Sequence, residues 1–331
     1  MTPTESRKSS HLAVALDARV QGAGAGLDDI ALPYDALFEI APERLDTRSH
    51  IAGIPVRFPL LFGAITGGTP QATAFNTALR ALASRHGLAL CLGSIRACLE
   101  DASLDATYGT GDVDALFANL GATEACRYPP HTVAEKCRHL GCGGLFIHLN
   151  GLQEALQVEG NHAFSCPLDA LRRFVDAFPL PVLVKEVGSG LGGACAQRLA
   201  TLPIAGLETA SLGGTSWVKV EALRRNPQPS LAALDALSRI GYPLAVAIRD
   251  CRAALGTRTL IASGGIRTPL DLIKSLALGA DLAAIAQPLW AVFHAGGTDA
   301  LAAFVDEWLD IARLIWRSTG CPDLASLRHC L

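Results

Sequence analysis

The chain lacks a basic surplus, a membrane-length apolar run, and any cysteine spacing that binds zinc or carries redox chemistry. Lysine and arginine number 28 against 31 acidic residues, a formal charge of −3. A protein so balanced has no electrostatic footprint for nucleic acid. No stretch approaches the roughly 20 apolar residues that cross a bilayer. The polar opening MTPTESRKSS has none of the apolar core of a signal peptide, so a cytoplasmic location is expected. The ten cysteines are scattered through apolar runs, and only Cys137 and Cys142 lie close in sequence. Reduced, mostly buried thiols are therefore expected, and a disulfide framework is not. No GxGxxG follows the first strand-like run, which disfavours a dinucleotide fold. Low-complexity tracts and long internal repeats are also absent.

What is present is a 331-residue chain that is 50% hydrophobic and 18% charged, enough for one large domain around a buried sheet or for two ordinary ones. Short apolar runs recur at 59–65, 89–92, 116–120, 145–149, 181–187, 205–207, 259–262 and 282–285, most of them followed by an amphipathic stretch of helical length. Strand and helix alternating in this way argue for parallel βα units. Eight units in about 250 residues match an α/β closed (β/α)8 TIM barrel, with a doubly wound open sheet as the alternative. Residues 1–57 precede the barrel as a turn-rich extension expected to contribute to the active site. Residues 58–331 form the barrel, with closing helices after about residue 297.

The segment 260–289, LIASGGIRTPLDLIKSLALGADLAAIAQPL, is the most informative. An apolar strand ends in Gly264-Gly265, and Pro269 can open a helix whose apolar period runs through Leu270, Ile273, Leu276 and Ala277. A second apolar strand ends at Ala286-Gln287. Glycines at such a turn expose backbone N–H groups suited to a phosphate, although GG before a helix is also a common turn. Other strand ends carry Thr66-Gly67-Gly68, Gly93-Ser94-Ile95-Arg96, Asn119, His148-Leu149-Asn150 and Lys185-Glu186. A barrel gathers its strand C-termini on one face, so these groups would converge on one pocket.

Read together, these motifs resemble a known family. They include Arg7-Lys8-x-x-His11-Leu12, Asp28-Asp29-Ile30, Thr66-Gly67-Gly68, Gly93-Ser94-x-Arg96 and Ala118-Asn119-Leu120-Gly121-Ala122. His148-Leu149-Asn150-x-Leu152-Gln153-Glu154, Val184-Lys185-Glu186-Val187-Gly188, Gly213-Gly214-Thr215-Ser216-Trp217 and Ala262-Ser263-Gly264-Gly265-Ile266-Arg267 follow in order. The chain resembles the type II isopentenyl diphosphate isomerases, FMN-dependent (β/α)8 enzymes. The resemblance implies a 1,3 proton shift from isopentenyl to dimethylallyl diphosphate with no net redox change. Reduced FMN would stabilise the cation-like state, Mg²⁺ would assist, and NADPH could serve as an external reductant. It also implies a homo-oligomer, tetramer or octamer, with no nucleic-acid or membrane partner.

By the same resemblance, Gln153, Lys185, His148 and Asn150 are catalytic, and Glu154 holds Mg²⁺ against diphosphate oxygens. Arg7, Lys8 and His11 clamp the diphosphate, reaching even into a neighbouring subunit, while Ser94 and Arg96 add donors and Trp217 walls the alkene. Thr66, Gly67, Ser94, Asn119, Lys185 and Thr215 meet the flavin ring and ribityl chain. Gly264, Gly265, Arg267, Ala286 and Gln287 meet its phosphate. Each has a plainer reading: Lys185 as the ion-pair partner of Glu186, Gln153-Glu154 as a helix start, Arg7-Lys8 as a solvated pair, and Trp217 as core.

Departures from the family pattern occur at Ser10, Ile65, Ile95, Gly151, Glu208 and Leu212. Ile95 in particular replaces a hydrogen-bonding group and would change recognition. A specialised relative, moving a double bond or cyclising a different prenyl diphosphate, is the second expectation. A flavin-binding protein without turnover is disfavoured by the retained Glu154 and Arg7-Lys8. Oxidation of a 2-hydroxy acid is disfavoured because no His-Gly-Gly-Arg motif is present.

Overall fold

The computed structural model describes residues 3–22, 24–158, 160 and 166–331, with the side chains of residues 3–7 and 9 outside the description. The extension opens with helix α1 (Pro3–Val14) and ends in an antiparallel hairpin of β1 (Ser49–Ile51) and β2 (Ile54–Val56). From β3 (Leu60–Phe62) onward, strand and helix alternate: α2 (Pro70–His86), β4 (Ala89–Ser94), α3 (Arg96–Glu100), β5 (Ala115–Gly121), α4 (Ala122–Ala125) and α5 (Pro130–His139). There follow β6 (Gly144–His148), α6 (Gly151–Leu156), α7 (Leu168–Ala177), β7 (Val182–Lys185), α8 (Gly193–Ala200) and β8 (Gly206–Glu208). The long interval after β8 holds α9 (Trp217–Arg224), α10 (Leu231–Ser238) and α11 (Leu244–Leu255). The chain closes with β9 (Thr259–Ser263), α12 (Pro269–Ala277), β10 (Leu282–Ile285), α13 (Gln287–Ser318), bent at Gly297, and α14 (Leu324–Arg328).

Strands β3 to β10 form a closed parallel barrel in which β10 returns to pair with β3. Its strands are buried on both faces, which is why they read as apolar runs rather than as alternation. Leu61, Cys91, Phe117, Phe146, Leu183, Ile261 and Leu282 fill the interior. The unforeseen hairpin plugs the end where the strands begin. Its Ile51 and Val56 join that interior cluster, Ser49 Oγ donates to Asp281 O at 2.8 Å, and Ala52 N to Thr259 Oγ1 at 3.1 Å.

One local expectation changes. Helix α12 does begin at Pro269, with a capping box in which Thr268 Oγ1 accepts from Asp271 N while Asp271 accepts from Thr268 N. Its inward face, however, is Leu272, Ile273, Leu276 and Ala277, and Leu270 is exposed. The cysteines are reduced and mostly buried, as expected. All ten are free thiols, six are buried, but Cys126 and Cys195 are exposed. No described helix is long and apolar enough to cross a membrane.

Candidate active site

Adjacent strands are in register at the end of the barrel where β6, β7 and β8 finish: His148 stands opposite Lys185, and Lys185 opposite Glu208. In-register residues of a parallel sheet point to the same face, so this row projects together toward the mouth. The buried Lys185 ammonium donates to Glu186 O at 2.7 Å and lies 3.5 Å from Glu208 Oε1, which also accepts from Ser263 Oγ at 2.8 Å. The partner carboxylate of Lys185 is thus Glu208 on the next strand, not Glu186. Glu186 turns away: its Oε2 accepts the backbone N–H groups of residues 187–190 and shapes the loop after β7. Burial nonetheless holds its carboxyl above the ordinary range.

The mouth is one cleft in two parts. The first, about 760 Å³ including its opening, is lined by Gln21, Lys185, Glu208, Ser211, Thr215, the 263–267 loop and the 284–288 segment. Gly264, Gly265, Arg267, Ala286 and Gln287, expected against the flavin phosphate, all lie here. The second, about 980 Å³, is lined by Lys8, His11, Thr66, Gly67, Ser94, Arg96, Asn119, His148, Asn150, Gln153 and Glu154, among others. Thr66, Gly67, Ser94 and Asn119, expected against the flavin, therefore lie in the second part. Ala64, Ile65, Lys185, Val187 and Trp217 line both.

The first part suits a flavin nucleotide. Gly264 and Gly265 have φ of +96° and +97°, and a Cβ on Gly264 would sit 2.1 Å from Ser211 O. Only glycine lets this turn pack backbone to backbone on Ser211, and the turn lines the cleft with main-chain groups of the kind that cradle phosphate. Arg267 lies alongside, donating to Gly213 O at 3.0 Å. Among the described residues, Thr66 Oγ1, Ser211 Oγ and Glu208 Oε2 are buried without a hydrogen-bond partner, and all three residues line the cleft. Buried oxygens are seldom left unsatisfied, and a ligand in the cleft would supply partners for these. The substitution Gly264→Ala is expected to weaken FMN binding about tenfold or more, since strain of this kind costs roughly 1–3 kcal/mol. Absorbance of the purified variant measures it; full flavin retention would refute the cradle.

In the second part, α1 folds over its own barrel. Lys8 Nζ reaches the carbonyls of Gly67 and, at 3.5 Å, Ser94. His11 packs edge-on to Trp217 with ring centroids 5.4 Å apart. Lys8 and His11 are thus delivered to the cleft by the chain's own helix α1. The Arg7 side chain lies outside the described residues. Arg96 pairs with Glu100 at 2.8 Å and Glu124 at 3.2 Å. Asn150 Nδ2 donates to Glu154 Oε1 at 3.1 Å. Among the described residues no group of three or more His, Cys, Asp or Glu could hold a metal. A single carboxylate such as Glu154 fits Mg²⁺, which takes few protein ligands and completes its shell with water and phosphate.

His148 donates through Nδ1 to Asn119 Oδ1 at 2.6 Å, the amide oxygen dictating that tautomer. Burial, assisted by the Lys185 charge, pushes its pKa down to about 3, so the ring is neutral near pH 7. The unfolded chain binds this proton near pH 6.5. The contribution to stability is therefore complete above pH 6.5 and falls away toward pH 3, by at most about 1.4 kcal/mol per pH unit and less for partial exposure in the cleft. Urea midpoints of wild type and H148Q should accordingly differ in slope between pH 7 and pH 5, the variant being the flatter.

Two residues not foreseen from sequence organise this half. Buried Glu221 takes His11 Nε2 at 2.8 Å and Gln153 Nε2 at 3.0 Å on one oxygen, and Arg224 at 2.6 Å on the other. Arg224 also reaches Ser10 Oγ at 3.3 Å. Burial would raise the Glu221 carboxyl, but the His11 and Gln153 hydrogen bonds and the His11 and Arg224 charges outweigh it and hold it low. A signal existed: Glu221 is four residues after Trp217 on α9, one turn along the same helix face.

Residues 130–331 match the FMN-dependent dehydrogenase family. The isopentenyl-diphosphate delta-isomerase of Mycobacterium marinum is 37% identical over 98% of this chain and 95% of its own length. Those of Mycolicibacterium gilvum and Xanthobacter autotrophicus are 35% and 36% identical, each over 98% of this chain and at least 95% of their own length. The chain belongs to the type II isopentenyl-diphosphate delta-isomerase family. It is a divergent isomerase of that family, with FMN as its cofactor. An (S)-mandelate dehydrogenase from Pseudomonas putida (18% identity, TM-score 0.62, 97% of each chain) and a lactate oxidase from Pediococcus acidilactici (16%, TM-score 0.63, 100% of this chain and 86% of that one) share the fold.

The family departures are not all at the site. The Ile95 side chain is in the core beneath the cleft and does not line it, contrary to its expected part in recognition. The cause is a bulge in β4: Cys91 pairs with Phe117 but Ser94 with Asn119, so one extra residue turns Ser94 toward the mouth and Ile95 away. Leu212 bonds through its N–H to Tyr242 O and lines only a small neighbouring cavity. Ile65 and Glu208 do line the cleft.

Proposed function

We propose that this chain converts isopentenyl diphosphate to dimethylallyl diphosphate by a 1,3 proton shift with no net redox change, using reduced FMN and Mg²⁺. The observation that carries this reading is the wall shared by the two parts of the cleft. Ile65, Lys185, Val187 and Trp217 border both the glycine-lined part and the cation-lined part. An alkene held against that wall would lie beside the cofactor without being a hydride donor or acceptor. When bound, reduced FMN supplies an electron-rich surface next to the developing positive charge.

The chain's own residues supply the rest. Arg7, Lys8, His11 and Arg96 grip the diphosphate, with Ser94 adding a donor. Glu154 carries the Mg²⁺ that offsets phosphate charge. Ile65 and Trp217 keep water from the hydrocarbon part. Gln153 presents its amide to the alkene, its NH₂ held by Glu221, so that a buried carboxylate stands behind the group that handles the proton. Neutral His148 and Asn150 orient by hydrogen bonding. NADPH is proposed as the external reductant, and a homo-oligomer as the assembly. A specialised relative with another prenyl diphosphate is the weaker reading, because Ile95 and Leu212, two departures that suggested it, do not line the cleft.

The test is proton NMR of the purified protein with reduced FMN, Mg²⁺ and isopentenyl diphosphate in D₂O. Dimethylallyl diphosphate carrying deuterium is the expected product. A flavin-loaded protein that leaves the substrate untouched sinks this reading and favours the other substrate class.

A further inference from the structure

We propose that Cys126 and Cys166 form a reversible thiol–disulfide site beside the cation-lined half of the cleft, oxidised by low-molecular-weight disulfides of the glutathione class. The two sulfurs lie 3.9 Å apart although the residues are 40 apart in sequence. Cys126 is exposed at the C-terminal end of α4, and half-buried Cys166 directly precedes Pro167 at the start of α7, the helix packed on α4. A disulfide is about 2.05 Å long, so closure needs a side-chain rotation and a small shift of two short surface segments rather than a change of fold.

The site is chemically set apart from the other thiols. Burial pushes Cys98, Cys137 and Cys251 up to about 12, where they are inert. Cys126 is held down to about 7, first by its hydrogen bond with Cys166, against burial and with help from Arg173. It is therefore both the reachable sulfur and the one that is thiolate near neutral pH. The Cys126 thiolate attacks one sulfur of glutathione disulfide, breaking that S–S bond and releasing one glutathione thiolate. In the reduced pair the hydrogen bond with Cys126 holds the Cys166 thiol up; once Cys126 is capped that bond is gone, and the Cys166 thiolate attacks Cys126 Sγ and releases the second. Two protein thiols lose two electrons, one glutathione disulfide gains them, and the two thiol protons pass to the departing thiolates.

The bond would bear on the cleft from two sides. Glu124, two residues before Cys126, lines the cleft and pairs with Arg96. Cys166 ends the connection from α6, which carries Gln153 and Glu154. The closed loop contains β6 and α6, so oxidation would cross-link the end of α4 to the start of α7 on either side of those elements.

The full-length chain is equilibrated with graded glutathione and glutathione disulfide, quenched by alkylation and mapped by mass spectrometry. The expected result is a Cys126–Cys166 linked peptide, two hydrogens lighter than the reduced pair and restored by dithiothreitol. C166S should instead accumulate glutathione on Cys126, and C126S should form no intramolecular link. A stable glutathione adduct on Cys126 of the wild type, a link through Cys195 or any other cysteine, or full alkylation of both thiols at every ratio would overturn the proposal.

Discussion

Glu221→Gln is expected to lower kcat by about 10²–10³-fold while KM moves by only a few-fold, the loss typical of removing a group that governs proton transfer. The expectation follows from one oxygen serving two cleft residues: Glu221 Oε1 is within 3.0 Å of both His11 Nε2 and Gln153 Nε2. Glutamine keeps the shape but not the charge, and its own NH₂ must then face a donor, either Gln153 or Arg224. The acid limb of the pH–rate profile separates a chemical role from a structural one. Wild type should lose activity as pH falls through the depressed Glu221 pKa, and the variant should lack that limb. E221A should in addition destabilise by about 3–5 kcal/mol, because it removes a buried carboxylate on which His11, Gln153 and Arg224 converge. Wild-type kcat in a folded E221Q would rule out the proton-handling role.

Lys185→Met should abolish turnover by at least about 10²-fold, the scale seen when one preorganised electrostatic partner is lost. It should also lower stability by about 3–5 kcal/mol, since Glu208 would keep a buried charge with, among the described residues, only Ser263 as a close donor. The double variant K185M/E208Q discriminates between the two effects. Neutralising both members removes the unpaired charge, so its urea midpoint should recover most of the way toward wild type. Activity should not recover, because the positive charge between the two halves of the cleft is still absent. Recovery of turnover in the double variant would reduce Lys185 to a structural ion pair.

Most of the framework was legible from sequence for a simple reason. Strands buried on both faces must be apolar along their length, so eight runs stood out without tertiary information, and their parallel order implied a shared C-terminal face. Polar residues at those ends had few places to go but the mouth. Thus Lys8, His11, Ser94, Arg96, His148, Gln153, Glu154 and Lys185 meet in one cleft, and Gly264-Gly265 form its backbone-lined end. Extension residues 1–57 were harder to read, because α1 owes its place to the cleft it covers and the hairpin of β1 and β2 owes its place to the barrel end it plugs.

Run spacing and strand-end chemistry by themselves indicated eight βα units, the face that carries the site and the residue types available there, while closure into a barrel rather than an open sheet is seen in the pairing of β10 with β3. Only the tertiary structure decided how those residues are paired. Strand register gives Lys185 to Glu208 instead of its neighbour Glu186. One bulged residue in β4 sends Ile95 into the core, a flip that a period-two pattern cannot reveal when both faces are apolar. The helix face of Trp217 brings Glu221 behind Gln153, and the packing of α4 on α7 brings together two sulfurs 40 residues apart. Such pairings depend on distances between separate elements, which local sequence patterns do not encode.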